Sequence, residues 1–339
     1  MERTQKWHRI QIYMPNPHVS ILAVNKADIA SYNQAKILLA KFDWQPLGLI
    51  EEKDAYSLNK TRMWIFDDSI LLEDNIDLRW QSATDEIVTE VIFPSRHVAA
   101  SGKPSLTLHP IGVTHLDKDS EPPFGGKSGF APPPSTRLAA WWKEFQKRAF
   151  DTDIAERFEL TLEVTHHGPW LNVPSLFIEI GSTKNDWPDM AAASFLAGII
   201  ASGMGLDGGS QIGVWDEKKN SGDLVLITLG GGHYAPRANK IASMDGVWLG
   251  HMLATYSLPF EKPLVEGELP RGTWCQSISA AINSTRAAFP GGDIVCSMDK
   301  KAFKGWQRQA IRDHLSKNQI PLLTTKKIVE LLTTKSQPS

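Results

Sequence analysis

Cysteine is scarce in this chain, and the scarcity excludes several kinds of site. The 339 residues contain two cysteines, Cys275 and Cys296, so neither a disulfide framework nor a CxxC metal knuckle can form. Thiol catalysis is disfavoured because neither cysteine has a histidine near it in the sequence. Low cysteine usage is typical of a reducing compartment, and a cytoplasmic location is expected.

Long apolar runs are also lacking. The longest, from Met190 to Gly205, is too short to cross a bilayer and predicts a buried helix. The opening residues, MERTQKWHRIQIYM, have neither the apolar core nor the small-residue cleavage site of a secretory signal. We therefore expect no membrane contact, and the sequence predicts no obligate protein partner.

Net charge is close to zero, at −2, but it is unevenly distributed. From Lys300 to the end of the chain, nine lysines and arginines stand against two acids, which gives +7 and leaves −9 for the rest. A basic helical segment over 300–335 is predicted. It is either a solvated helix face or a surface that binds a phosphate backbone.

The composition, 42% hydrophobic and 22% charged, is typical of a globular protein. Strand-like and helix-like patterns alternate, which predicts an α/β fold: a three-layer sandwich around a mixed, largely parallel sheet. We expect one domain over residues 1–339. Strands are predicted at 19–24, 61–67, 86–93, 105–109, 158–164, 175–180, 224–229 and 293–298. Helices are predicted at 29–42 after an Asp28 cap, after a Ser135 cap, and at 188–202, 274–288 and 302–317.

A stretch rich in proline and glycine, residues 120–136, interrupts this alternation with SEPPFGGKSGFAPPPST. Such density precludes regular structure. It predicts either a disordered linker or a long loop that closes over a site.

The most informative feature is where histidines stand. Seven of the ten lie between His97 and His251, mostly where an extended apolar run meets a glycine or proline turn. Imidazole titrates near neutrality and is the commonest metal ligand, and α/β folds bind ligands at strand ends. The pattern predicts one hydrolytic or metal-assisted site assembled from distant segments.

The segment LEVTHHGP places His166 and His167 directly before a Gly-Pro turn. Successive side chains of a strand face opposite ways, so a regular strand would keep the two imidazoles apart and put Glu163 opposite His166. The turn frees His167 from that restriction. Adjacent histidines in this setting favour a functional role over a structural one.

The loop GGGHYAPR follows the predicted strand 224–229. It is either a tight structural turn or a site whose amides cradle an oxyanion or a phosphate. It matches neither the dinucleotide fingerprint nor the Walker loop. Its candidate residues are Gly230, Gly231, Gly232, His233, Tyr234 and Arg237.

Glu179 lies within an otherwise apolar predicted strand. A buried carboxylate needs a partner, so Glu179 is a metal ligand, a general base, a group that orients a histidine, or a carboxylate tied to backbone amides. Arg96, His97 and His109 follow two other strands. No HExxH, GxSxG or HxE…CxxC pattern occurs, so any metal site must use scattered ligands.

Several motifs together resemble the archaeal and plant type of D-aminoacyl-tRNA deacylase, over nearly the whole chain. They are SRHVAASGKPSLTLHP, LEVTHHGP, PSLFIEIGSTKNDW, GGGHYAPR and GHMLATYSL, with NKADIASYN and DKKAFKGWQRQAI at either end. The resemblance implies hydrolysis of the ester between a D-amino acid and the tRNA 3′ end. It also implies zinc, and an α/β fold akin to peptidyl-tRNA hydrolase and phosphorylase-like proteins.

The resemblance marks histidine-bearing motifs as site candidates, from which we set out a working assignment. The catalytic candidates are His166, His167, Glu179 and His233. The metal candidates are His97, His109 and His251. Expected substrate contacts are amides of Gly230, Gly231 and Gly232 to an oxyanion, Arg96 and Arg237 to phosphates, and Tyr234 or a tryptophan to the terminal adenine.

Where the family usually has a Gly-Asn pair after LTLHP, this chain reads IGVTHLD, which leaves substrate scope open. The alternatives are a hydrolase of peptidyl-tRNA or N-modified aminoacyl-tRNA, a non-catalytic tRNA-binding module, and a metal hydrolase of small esters or amides. The histidines retained together argue against the non-catalytic alternative.

Overall fold

The computed structural model of this chain describes residues 16–263, 265 and 268–335. The strands are β1 His18–Asn25, β2 Gln45–Ile50, β3 Lys53–Leu58, β4 Thr61–Phe66, β5 Ile87–Arg96, β6 Ser105–His109, β7 Glu159–Leu162, β8 Ser175–Gly181, β9 Leu224–Leu229, β10 Val247–Leu253 and β11 Asp293–Met298. The α-helices are α1 Ile29–Lys41, α2 Ile76–Thr84, α3 Leu138–Phe150, α4 Ile154–Arg157, α5 Met190–Met204, α6 Glu217–Asn220, α7 Pro236–Ala242, α8 Trp274–Ala288, α9 Gly305–Lys317 and α10 Thr325–Lys335.

Eight strands form a mixed sheet in the order β2-β3-β4-β1-β5-β8-β6-β7. The pairs β4–β1, β1–β5, β5–β8 and β6–β7 are parallel, and the pairs β2–β3, β3–β4 and β8–β6 are antiparallel. The predicted α/β class with a mixed, largely parallel sheet is confirmed. The likeness to peptidyl-tRNA hydrolase and phosphorylase-like folds stays a prediction.

A second sheet, β10-β9-β11, was not foreseen, although its strands were visible as apolar runs. Both of its pairs are parallel. One continuous apolar core joins the two sheets, since it contains Leu226 and Leu249 of the small sheet together with Leu176 and Ile178 of the large one. The two sheets thus share one core, and the prediction of one domain over residues 1–339 stays a prediction.

Two predicted helices have the expected causes. Asp28 caps α1, since its Oδ1 accepts from the backbone N–H of Ala30 at 2.9 Å, a contact worth about 1 kcal/mol. The apolar run after residue 190 forms the buried helix α5, which ends where Gly205 adopts φ +68°. Among the described residues, no helix is long and apolar enough to cross a membrane.

The Ser135 cap prediction was wrong. Helix α3 begins at Leu138, with Arg137 in the cap position and no side-chain cap bond. The Ser135 hydroxyl instead donates to the carboxylate of Glu90 at 2.5 Å, and that carboxylate also pairs with Arg137 at 2.6 Å. The same hydroxyl also accepts from the Arg137 amide at 3.2 Å, so Ser135 bonds an amide of the turn before α3 and none within the helix.

The proline- and glycine-rich segment 120–136 forms a loop folded against the rest of the protein, so the linker alternative was wrong. Its Phe124 carbonyl accepts from the Gly168 amide at 2.9 Å. Gly125 lies so close to the Leu71 carbonyl that a Cβ would stand 1.7 Å from its oxygen. Of the predicted basic segment, the residues up to 335 hold a 3₁₀ turn, α9 and α10, as expected.

Candidate functional site

Strand ends and strand interiors both contribute to one cavity of about 500 Å³. His97 follows β5, and His109 ends β6. Glu179 lies inside β8, in register with Ser95 of β5 and Thr107 of β6. The described residues that line the cavity are Asn25, Asp28, Ser69, Ile70, Leu71, Ser95, Arg96, His97, Val98, Val113, His115, Leu116, Pro123, Phe124, His166, His167, Glu179, His233 and Tyr256.

His166 and His167 share the cavity because the chain leaves the sheet earlier than predicted. Strand β7 ends at Leu162, so strict alternation does not govern the next residues. His167 takes φ +40° before the turn at Gly168. Their ring centroids are 4.3 Å apart, and Glu163 lies 3.6 Å from His166 Nε2. The prediction that Glu163 and His166 face opposite ways was wrong.

His109, His166 and His167 form one group of imidazoles, with one ligand atom from each within 4.8 Å of the others. The Nδ1 of each donates to a backbone carbonyl. These bonds are His109 to Pro110 at 3.2 Å, His166 to Val164 at 2.7 Å and His167 to Gly168 at 2.7 Å. With Nδ1 protonated, each Nε2 keeps a free lone pair.

Burial holds these three imidazoles in the neutral form. It lowers the pKa of His109 to about 3 and that of His167 to about 4. The pKa of His166 is lowered well below its usual value, first by burial and then by the neighbouring imidazoles. The Nε2 of His109 is buried without a hydrogen-bond partner among the described residues. A buried lone pair left in this way fits a ligand.

Glu163 organises a second group. One carboxylate oxygen accepts from Nε2 of His233 at 2.8 Å, and the other lies 3.1 Å from Nδ1 of His97. The outer nitrogens of both imidazoles meet phenols: Tyr256 lies 3.1 Å from His233 Nδ1, and Tyr234 lies 3.2 Å from His97 Nε2. The predicted adenine-stacking residue Tyr234 thus holds His97 by its hydroxyl.

The pKa values of the two buried glutamates of the site are shifted in opposite directions. Burial raises the pKa of Glu179 well above its usual value, and the nearby Glu163 carboxylate raises it further. For Glu163, burial acts in the same direction but is outweighed by His233 and the other imidazoles, which lower its pKa to about 2. These shifts favour the neutral form of Glu179 and the carboxylate form of Glu163.

Three groups among the described residues offer metal-ligand geometry: His109, His166 and His167; His97, Glu163 and His233; and His109, Glu163 and Glu179. The structure thus brings His97 and His109 to the site but does not bring His251 into any of these groups. His251 is buried and hydrogen-bonds Thr165 Oγ1 through Nδ1 at 2.9 Å. Burial lowers its pKa to about 3.

Two amides of the glycine loop at residues 230–232 are hydrogen-bonded to other parts of the protein. The Gly230 amide donates to the Leu253 carbonyl at 2.7 Å, and the Gly231 amide donates to Thr255 Oγ1 at 3.0 Å. These two amides are taken, and neither they nor Gly232 line the cavity. Arg237 is also turned inward, since it donates to the Ser297 carbonyl at 2.8 Å. The expectations of an oxyanion cradle and of a phosphate contact at Arg237 lose their support.

Three residues of the site were not identified from the sequence. Glu163 was assigned to the wrong side of its strand, and Tyr256 gave no signal within GHMLATYSL. Asp28 was identified only as a helix cap, yet its Oδ2 also accepts from the Arg96 amide at 2.9 Å. Arg96 lines the cavity, and its role as a substrate contact stays a prediction.

Comparison with known proteins identifies the family of this chain. A family profile for D-aminoacyl-tRNA deacylase matches residues 84–323. The chain is 45% identical to the D-aminoacyl-tRNA deacylase of Arabidopsis thaliana over 309 residues, which cover 89% of this chain and 97% of the relative. It is 28% identical to that of Methanosarcina acetivorans over 327 residues, covering 93% and 95%. The crystal structure of a conserved protein of unknown function shares the fold, with a TM-score of 0.72 at 23% identity, covering 92% of this chain and 97% of that one.

Proposed function

The chain belongs to the D-aminoacyl-tRNA deacylase family, and from this premise we propose how its own residues perform the reaction. The enzyme hydrolyses the ester between a D-amino acid and the terminal ribose of tRNA, and releases both. The observation that carries the mechanism is the division of five imidazoles in one site. Three are anchored to backbone carbonyls, and two flank the Glu163 carboxylate.

Zinc fits the anchored group. His109, His166 and His167 offer neutral nitrogens, and the orphaned Nε2 of His109 argues for a ligand there. Three histidines and an open position are typical of catalytic zinc. When bound there, zinc supplies a Lewis acid that lowers the pKa of water and polarises a carbonyl. The group of His109, Glu163 and Glu179 suits a cation less well, because Glu179 favours its neutral form.

Glu163 and His233 act as the proton-transfer pair. The ionised carboxylate accepts from Nε2, which fixes the tautomer and leaves Nδ1 as the base. Nδ1 takes a proton from the attacking water, and Glu163 stabilises the resulting imidazolium. The proton then passes to the ribose oxygen as the ester breaks. His97 stays neutral, since burial lowers its pKa, and holds the other side of Glu163.

The cavity also provides an apolar wall for the amino-acid side chain. Loops from three parts of the chain contribute to it, with Leu71, Val113 and Phe124 among them. Phe124 is 62% exposed, so the wall faces the entrance. A wall made of loop side chains accommodates several amino acids, which fits broad substrate tolerance.

The basic segment adjoins the site. His233, Tyr256 and the turn at Lys300 follow β9, β10 and β11, whose carboxyl ends share one edge of the small sheet. A Cβ on Gly230 would lie 3.0 Å from Ala302 of that turn. Exposed lysines there bind tRNA phosphates, so the KM for aminoacyl-tRNA should rise steeply with salt.

Release of tyrosine from D-Tyr-tRNA and L-Tyr-tRNA, with and without a chelator, tests the proposal. Rapid release from the D isomer alone, abolished by the chelator and restored by zinc, is expected. Equal release from both isomers, or from neither, would refute the assignment. Full activity after complete metal removal would leave the reaction in place and discard the zinc site.

A further inference from the structure

Arg96 is the one permanently cationic side chain among the described residues that line the cavity. It is exposed, and no described residue forms an ion pair or hydrogen bond with its guanidinium. Its backbone is nonetheless fixed, since its amide donates to the buried Asp28 carboxylate at 2.9 Å. An arginine with a fixed backbone and unpaired N–H donors in a cavity is suited to bind an anion.

Trp187 holds this guanidinium in place. The guanidinium carbon lies 4.8 Å from the centroid of the Trp187 ring, a stacking contact that orders a long side chain. Trp187 lies in the turn after β8. Asp186 stabilises this turn, since its carboxylate accepts from the Thr183 amide at 2.8 Å. The planar fork of Arg96 is therefore oriented before any ligand binds.

The same indole also supports the catalytic group. Its Nε1–H donates to the His97 carbonyl at 2.9 Å. His97 lies 3.1 Å from Glu163, so one indole contacts both the cation and the backbone of the imidazole beside it. The face of the Trp187 ring contacts Arg96, and its Nε1–H bonds the His97 carbonyl.

We propose that Arg96 binds the phosphodiester that joins the last two nucleotides of the tRNA, and that Trp187 is the positioning residue for Arg96 and His97. This inference rests on the proposed function. The ester and this phosphodiester belong to the same terminal nucleotide, so a cation in the ester-binding cavity meets that phosphate first. A bidentate guanidinium suits two phosphate oxygens, and the contact fixes the ribose relative to His233.

Two small substrates isolate the phosphate: the D-tyrosyl ester of adenosine, which has none, and that of the dinucleotide CpA, which has one. Arg96→Ala should lower kcat/KM on the CpA ester by about 10- to 100-fold and leave the adenosine ester unchanged. Arg96→Lys keeps the charge without the planar fork, and should fall between. Arg286→Ala removes an exposed arginine of α8 outside the cavity and is the matched control, with both esters unchanged.

Trp187 variants separate its two contacts. Trp187→Leu loses both contacts, so it should raise KM on the CpA ester about 2- to 5-fold through loss of the stack and also lower kcat on both esters through loss of the N–H. Trp187→Phe keeps an aromatic face and loses the N–H, so it should lower kcat on both esters and leave KM near the original value. A purely structural role would move both constants alike in both variants, and thermal unfolding of each variant reports loss of fold.

Equal loss on both esters in Arg96→Ala, or no loss on either, would overturn the phosphate contact. If neither small ester is cleaved, KM on full D-Tyr-tRNA decides, and an unchanged KM in Arg96→Ala refutes the inference. If the unaltered enzyme cleaves no D-ester, the proposed function fails first and the inference is withdrawn with it. The two failures are thus distinguishable.

Discussion

The three anchored imidazoles and the two that flank Glu163 differ in the group that one of their ring nitrogens contacts. Backbone carbonyls hold Nδ1 of His109, His166 and His167. The Glu163 carboxylate accepts from His233 and lies 3.1 Å from Nδ1 of His97. A carbonyl fixes the tautomer and adds no charge, so the outer nitrogen stays a neutral donor for a metal. A carboxylate stabilises an imidazolium, which suits the proposed role of His233 as the base.

This contrast teaches that residue type alone does not assign a histidine. Rings of the two groups lie close, with His166 and His233 centroids 4.6 Å apart. Burial, measured residue by residue, does not separate the groups either, since His97 and His109 are both buried. What separates them is the group beside one ring nitrogen, which is a backbone carbonyl in the first group and the Glu163 carboxylate in the second.

The largest expected effect comes from neutralising the carboxylate. Glu163→Gln should lower kcat by about 10³- to 10⁴-fold, the loss found when an amide replaces the carboxylate that orients a catalytic histidine. Zinc content should not change. Single-turnover kinetics and metal analysis measure the two effects. Glu156→Gln, on the surface of α4, is the control. Loss of zinc in Glu163→Gln would show that the carboxylate is a zinc ligand. That result would contradict the division of the imidazoles into two groups.

Removing one anchored imidazole should reduce zinc binding, which the Glu163→Gln substitution should leave unchanged. His167→Asn retains a residue type that tolerates the φ of +40°, and should weaken zinc binding at least about 10-fold. Zinc retained after dialysis against a weak chelator is the readout. His115→Asn removes an imidazole that lines the same cavity outside the three groups, and should retain zinc. Equal retention in both variants would contradict the assignment.

The apolar wall should change selectivity without affecting either group. Phe124→Ala should lower the preference for D-Tyr-tRNA over D-Ala-tRNA by about 10-fold, the size of a lost apolar contact. Ratios of kcat/KM for the two substrates measure it. Phe150→Ala, which removes a side chain 91% exposed at the end of α3, should leave the ratio unchanged. An unchanged ratio in Phe124→Ala would remove Phe124 from the amino-acid pocket.

The smallest effect concerns His251, which belongs to neither group. Its folded pKa of about 3 lies below the unfolded value of 6.5, so its contribution is complete above pH 6.5 and is lost as the pH falls toward 3. Between pH 7.5 and 5.5 the native protein should lose about 1.4 kcal/mol more unfolding free energy than His251→Gln. Urea titrations at both pH values measure this difference. Parallel losses would show that His251 is protonated in the folded state.

The sequence predicted the elements of the site well because its signals are local. Apolar runs that end in histidine or glycine marked β5, β6 and β9, and Asp28 marked the start of α1. The pairing of β9, β10 and β11 into a separate sheet depends on contacts remote in sequence, and no local pattern reports it.

The roles within the site could not be read in the same way. Alternation was extended past Leu162, where β7 ends, so Glu163 was placed away from His166. The glycines predicted amides free to bind an oxyanion, yet two of these amides donate to Leu253 and Thr255. The metal candidates His97, His109 and His251 were chosen by type and position, whereas the structure groups His109 with His166 and His167. Hydrogen-bond partners decide these roles, and they are a property of the fold.

The position of zinc in the loaded protein tests the division of the imidazoles most directly. Anomalous scattering at the zinc edge, from crystals of protein loaded with one equivalent, locates the ion. We expect one peak bonded to nitrogens of His109, His166 and His167, with Glu163 still hydrogen-bonded to His233. A peak held by His97, Glu163 and His233, or no ordered zinc at the site, would contradict it.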